Sequence, residues 1–430
     1  MQSRISTYIA AMMLYAALAA PAPVAAQGQQ AQKKQAHYRV FNLGTLGGTF
    51  SSGNGINDLG RVTGASELTG NTTQHAILWR YGSKLDLGTL GGPNSAVLFP
   101  SKNVLGEIEG VSDTSTPDPL GENFCGFGSG FTCEGVVWEN GKIEALPNNL
   151  GGNNWRAAGV NDFGQVVGWA ENTTHDPTCI LPAVEQYEPV VWGPKKNEMQ
   201  QLPTYPGDPD GAAVAINDRG QIVGISGPCA DDDGLGARHA VLWENGTVTN
   251  LGNFGGQYFN TAAAINSFGQ IAGWSDLAND TALCTPACHA FLWTKSGGIQ
   301  DLGVLSGDQN SLAYGINDQG QVVGQSIDAE GNSRAFIWQN GKMTDLNTLT
   351  PPGSPFLLFA GDINDEGEIT GETFDQSTGE LGPAYLAIPT FDEVQVKGSS
   401  EKVKLPENVR QQLRQHLGLG RVGGGSIVGQ

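Results

Sequence analysis

Three consecutive aspartates, Asp231, Asp232 and Asp233, stand beside Gly234, and clustered hard oxygens of this kind can hold Ca²⁺. His175 and Asp176 add an imidazole and a further carboxylate, so the same group has the parts for general acid–base chemistry. Tyr187, with Trp155, Trp169 and Trp274, offers aromatic faces on which a sugar ring can stack. Each feature also has a plainer reading. The aspartates lack the DxDxDG ligand spacing and fit a solvated acidic loop, and the aromatics fit a core. His75, His239 and His289 recur at wide intervals, but equivalent positions hold Glu134, Glu188 or Ser333, which argues against a shared metal. The chain shows no Ser-His-Asp ordering, no HExxH and no phosphate loop, so no catalytic residue is assigned and no cofactor beyond Ca²⁺ is implied.

These residues must be positioned by a repeat. Residues 315–326 read GINDQGQVVGQS, and close copies occupy 55–66, 101–112, 159–170, 215–226, 264–275 and 362–373. Apolar residues up to Ile316 lead into Asn317-Asp318-Gln319-Gly320, where a positive-φ glycine closes a tight turn, and Val322-Val323 leads out, so each copy predicts a hairpin. The turn glycines Gly60, Gly106, Gly164, Gly220, Gly269, Gly320 and Gly367 are 46 to 58 residues apart, a blade-sized period. A third strand follows each hairpin and ends in Trp79, Trp138, Trp192, Trp243, Trp293 or Trp338; only the seventh lacks the tryptophan. Turns such as Glu139-Asn140-Gly141-Lys142 then predict a fourth strand.

The HAF-type third strands, DLGTLGG linkers and GINDxGQVVG hairpins resemble the HAF family of bacterial extracellular repeat proteins over residues 38–389. That resemblance implies an exported β-repeat protein and assigns no residue a chemical role. Seven units of four strands predict an all-β, seven-bladed β-propeller. The last unit stops at its third strand, and residues 38–43 (YRVFNL) form an orphan fourth strand, so pairing the two ends closes the ring without an open edge. The open alternative, a β-solenoid, does not explain why the strand missing at one end is present at the other.

In such a ring the loops from second to third strand share one face, and all six cysteines lie in them, across four consecutive blades. Six cysteines allow 15 pairings. Shared loops select Cys125 with Cys133 and Cys284 with Cys288, leaving Cys179 and Cys229 to staple neighbouring blades and draw His175 and Asp176 toward the three aspartates. An even number of cysteines without CxxC spacing favours disulfides over zinc.

Residues 1–26 read as a signal peptide cleaved after Ala26, because Arg4 precedes a short apolar run and Val24-Ala25-Ala26 are small. Residues 27–36 read as a disordered linker, 37–395 as the propeller, and 396–430 as a tail with a short helix from Pro406. The chain carries a formal −20, which excludes nucleic acid as an expected partner, and has no later run able to span a bilayer. The tail has six Lys or Arg against Glu401 and Glu407, a basic arm suited to the acidic body, to another copy or to an anionic surface.

The chain is expected to be exported, either periplasmic or extracellular, and to bind a carbohydrate or protein ligand on its disulfide-bearing face. The alternatives are an extracytoplasmic hydrolase or lyase acting on polysaccharide, and a structural cell-surface protein; fold alone does not choose among them.

Overall fold

A computed structural model describes residues 36–80, 82–195, 197–229, 238–279, 284, 286–392, 395–398 and 403–416. The expected signal peptide, most of the expected linker and Asp231–Asp233 therefore lie outside the described residues. The fold is a seven-bladed β-propeller of antiparallel four-stranded sheets. Blade 3 is typical, with strands Gly151–Val160, Val166–His175, Glu185–Trp192 and Met199–Gln201 in sequential order. Blade 7 takes three strands from the chain's end, Phe356–Ile363, Ile369–Asp375 and Tyr385–Thr390, and its fourth, His37–Asn42, from the beginning. Register runs from His37 opposite Thr390 to Asn42 opposite Tyr385, so the two ends seal the ring as strand counting predicts.

The repeated asparagine explains why the turns look alike. In each hairpin its Oδ1 accepts backbone amides of the following turn; Asn317, for example, takes those of Gln319 and Gln321. Its Nδ2 donates to the backbone carbonyl of the corresponding asparagine in the next blade. The chain of donors runs Asn57, Asn103, Asn161, Asn217, Asn266, Asn317, Asn364 and back to Asn57, at 2.8–3.2 Å throughout. Seven buried amides thus form one closed ring of hydrogen bonds.

The aspartate beside it bonds outside its own turn. Asp58, Asp162, Asp218, Asp318 and Asp365 each accept a backbone amide from the preceding blade, at 2.8–2.9 Å. The two blades that offer no such acceptor are those with Val104 and Ser267 in that position. The motif therefore couples blades as well as closing hairpins.

Glycine is required in the second strand for a separate reason. A β-bulge kinks the first strand of most blades, and a Cβ on Gly64, Gly168 or Gly324 would fall on the carbonyl oxygen of Ser52, Arg156 or Leu312.

The third-strand tryptophans pack between sheets. Trp243 buries against Val167 of the preceding blade, and Trp192 against Val137. Trp79, Trp192 and Trp243 also donate Nε1–H to carbonyls of the linkers that precede their blades, Gly44, Pro147 and Pro203. In blade 7, where the tryptophan is missing, buried Tyr38 and Tyr385 fill the space.

The tail folds back onto the propeller. Its helix, Glu407–His416, buries Val409 and Leu413 with Leu405 against Phe356, Leu358, Phe374 and Leu381 of blade 7. Leu405 N donates to Asn332 Oδ1, and Arg410 donates to the carbonyl of Glu330, both in a blade 6 loop. Residues 391–392 and 395–397 form no strand; Lys397 instead donates its amide to the Thr350 carbonyl.

Candidate functional site: the cystine-tied rim of blades 2 to 4

The two faces of the ring carry different loops. On one, short turns are tied to each other by the asparagine ring. On the other, long second-to-third-strand loops rise from blades 2 to 5 and hold all three disulfides, Cys125–Cys133, Cys179–Cys229 and Cys284–Cys288. The Cys179–Cys229 bond joins blades 3 and 4, and Cys229 N adds a 3.0 Å hydrogen bond to Thr178 Oγ1. Beneath these loops, Phe124, Cys125, Cys133, Trp169, Tyr187, Ile225 and Cys229 form one apolar floor. Beside Cys179, Ile180 and Leu181 project into solvent, Leu181 at 80% exposure. An exposed apolar tip held on a disulfide is a rigid contact point rather than a fraying loop.

The residues expected to do chemistry are only partly brought together. His175 is exposed at the end of its strand, opposite Glu185. Asp176 is buried next to it, and its Oδ1 accepts the Thr178 amide at 2.6 Å, which fixes the loop leading to Cys179. Tyr187 takes the core reading: the residue is 4% exposed within the apolar floor, while its backbone amide donates to Asp210. Trp169 and Trp274 are likewise core residues. Asp231, Asp232 and Asp233 begin two residues beyond Cys229, outside the described residues. The strand-three histidines are separated: His75 pairs with Asp86, His239 with Asp208 and His289 with Asp301, at 2.7–3.0 Å.

A different acidic group does come together. Glu122 of the blade 2 loop, and Glu171 and Glu185 of blade 3, each place a carboxylate oxygen within 4.8 Å of the others. All three are buried, Glu122 at 3% exposure. Glu122 Oε1 accepts the amides of Val184 and Glu185, which docks the blade 2 loop on blade 3. Glu171 Oε2 accepts Asn154 N and Nδ2, and the same Nδ2 reaches Asp118 Oδ2 at 2.8 Å. Asn153 donates to Glu185 Oε2 through both nitrogens. Burial pushes the Glu185 carboxyl up; Asn153 opposes the rise, the Glu122 charge adds to it and His175 pulls it back.

A second constellation lies where blades 7, 1 and 2 meet. Lys102 Nζ donates to Asp362 Oδ1 at 2.7 Å and to the carbonyls of Ile363 and Ile56, while Asp362 Oδ2 accepts Ile56 N. The three ammonium protons thus have three acceptors, and the pair clamps blade 1 between its neighbours. Near it, Glu109 is fully buried and accepts the Ser101 hydroxyl, and burial raises its carboxyl to about 8. Sequence carried a signal for both: Lys102 stands where other copies have Ile or Val, Asp362 where they have Gly, Ala or Ser, and Glu109 where they have Thr, Val or Ala. The three rim glutamates carried no such signal, because Glu171 and Glu185 sit on neighbouring strands of blade 3 while Glu122 comes from an irregular blade 2 loop whose path sequence does not show.

No protein-family profile and no curated protein matches the chain. Several solved structures are similar in fold. Puromycin hydrolase aligns over 79% of this chain and 54% of its own, at 13% identity and a TM-score of 0.47. An oligogalacturonate lyase from Vibrio parahaemolyticus aligns over 82% and 96%, at 10% and 0.46. The Pyrococcus horikoshii acylaminoacyl peptidase aligns over 78% and 50%, at 10% and 0.44, so this chain spans about half the length of the two larger enzymes. These likenesses concern the fold alone.

Proposed function

We propose that the protein is an exported, HAF-type propeller that acts as a binding module, holding a carbohydrate or protein ligand on the cystine-tied rim of blades 2 to 4. The observation that carries this reading is the asymmetry of the faces: one is knitted together by its own turns, while the other spends three disulfides on rigid, irregular loops with an apolar tip at Ile180 and Leu181. Disulfides fit an oxidising compartment, and no helix among the described residues is long and apolar enough to cross a membrane.

Glycan arrays and binding to intact bacterial cells, with the disulfide-intact full chain, test the reading. A ligand found in this way should be lost when Ile180 and Leu181 are changed to Ser, and kept when Leu105 and Phe163, exposed on the opposite face, are changed to Asp. Loss only in the second variant would move the site to the other face. Release of shortened glycan products would replace the binding module with an enzyme.

A further inference from the structure

We propose that Glu122, Glu171 and Glu185 form a calcium site that locks the blade 2 loop onto blade 3. This goes beyond the binding reading and uses none of its contacts. Oxygens sharing one Ca²⁺ lie about 2.3–2.6 Å from it and hence no more than about 5 Å from each other. The three carboxylate oxygens, mutually within 4.8 Å, satisfy that limit. They come from three separate backbone segments, which is the arrangement in which a bound ion crosslinks a fold.

Glu122 Oε2 is buried and has no hydrogen-bond partner, although the other oxygen of the same carboxylate receives two amides. A buried carboxylate oxygen without a donor is costly unless a cation or a proton meets it. Local charge favours a cation. Asp118 is bridged to Glu171 through Asn154, making four carboxylates, with His175 on the exposed side of Glu185 and Arg156 stacked 5.2 Å over Trp169 and donating to the Phe124 carbonyl. Hard carboxylate donors and buried geometry suit calcium. Among the described residues, the other possible ligand grouping, Asp276 with Cys284 and Cys288, has its sulfurs in a disulfide and offers no comparable set.

The test uses the full chain after chelator treatment, with CaCl₂ and TbCl₃ as probes. Millimolar calcium should raise the Tm of the native protein, and terbium luminescence should saturate at one site removable by calcium. Glu122→Gln should abolish the calcium-dependent rise and weaken terbium binding by at least about tenfold, while its Tm without calcium stays equal or higher. A variant with Asp231, Asp232 and Asp233 changed to Asn should behave like the native chain, which separates this site from the neighbouring acidic loop. If Glu122→Gln fails to fold, Glu185→Gln gives the same reading from the strand side. Absence of any calcium effect, or an effect lost in the Asp231–Asp233 variant and kept in Glu122→Gln, would overturn the proposal.

Discussion

A carboxylate buried among apolar strands makes folding sensitive to protons, and Glu109 is the clearest case. Its folded pKa of about 8 exceeds the ordinary 4.5, so it favours the fold most below pH 4.5, and that contribution is lost as pH rises toward 8. One proton held by the folded and not the unfolded chain gives a slope of up to about 1.4 kcal/mol per pH unit. Chemical denaturation of Glu109→Gln between pH 5 and 8 should show a flatter stability profile than the native protein. Lys102 makes the complementary case. Lys102→Met strands the fully buried Asp362 and should cost about 3–5 kcal/mol, most of it recovered by adding Asp362→Asn. These residues were legible in outline, since each breaks the repeat at an interior position. The burial of Tyr187 was one of two open readings, and the three rim glutamates were not legible, because sequence does not show where the blade 2 loop that carries Glu122 docks on blade 3.

Among the elements, the hairpin was the most readable unit because its chemistry is local: alternating apolar residues, Asn for the turn, Gly for the positive φ. What the hairpin does for its neighbours was less readable. The asparagine ring appears only once seven copies are arranged in a circle and each Nδ2 finds the next blade's carbonyl. Asn217→Ala removes the bond to Asn266 O and the two turn amides held by Oδ1, and should destabilise by roughly 2–4 kcal/mol in urea unfolding. The tail helix was predicted by its apolar stripe, whereas its destination depended on a matching surface on blade 7. Deleting residues 396–430 uncovers Phe356, Phe374 and Leu381, so Tm should fall and binding of a hydrophobic dye should rise, for a loss on the order of 3 kcal/mol. An unchanged Tm would show that the helix does not stabilise the blade.

For the whole molecule, the ring divides labour between its faces. Continuous hydrogen bonding on one side and closure through the first and last strands hold the blades together, which frees the loops on the other side to vary. Blades 2 to 5 use that freedom for disulfides, and blades 6 and 7 for seating the tail. Closure was legible from strand counting, since an extra strand at one end matched a gap at the other. All the positions assigned above, from the Lys102–Asp362 clamp to the rim glutamates, presuppose that closure. Native-state hydrogen exchange of the intact chain tests it most directly. Amides of His37–Asn42 should exchange as slowly as those of Tyr385–Thr390, because the two strands share one ladder. Rapid exchange of His37–Asn42 beside a protected Tyr385–Thr390 would contradict it.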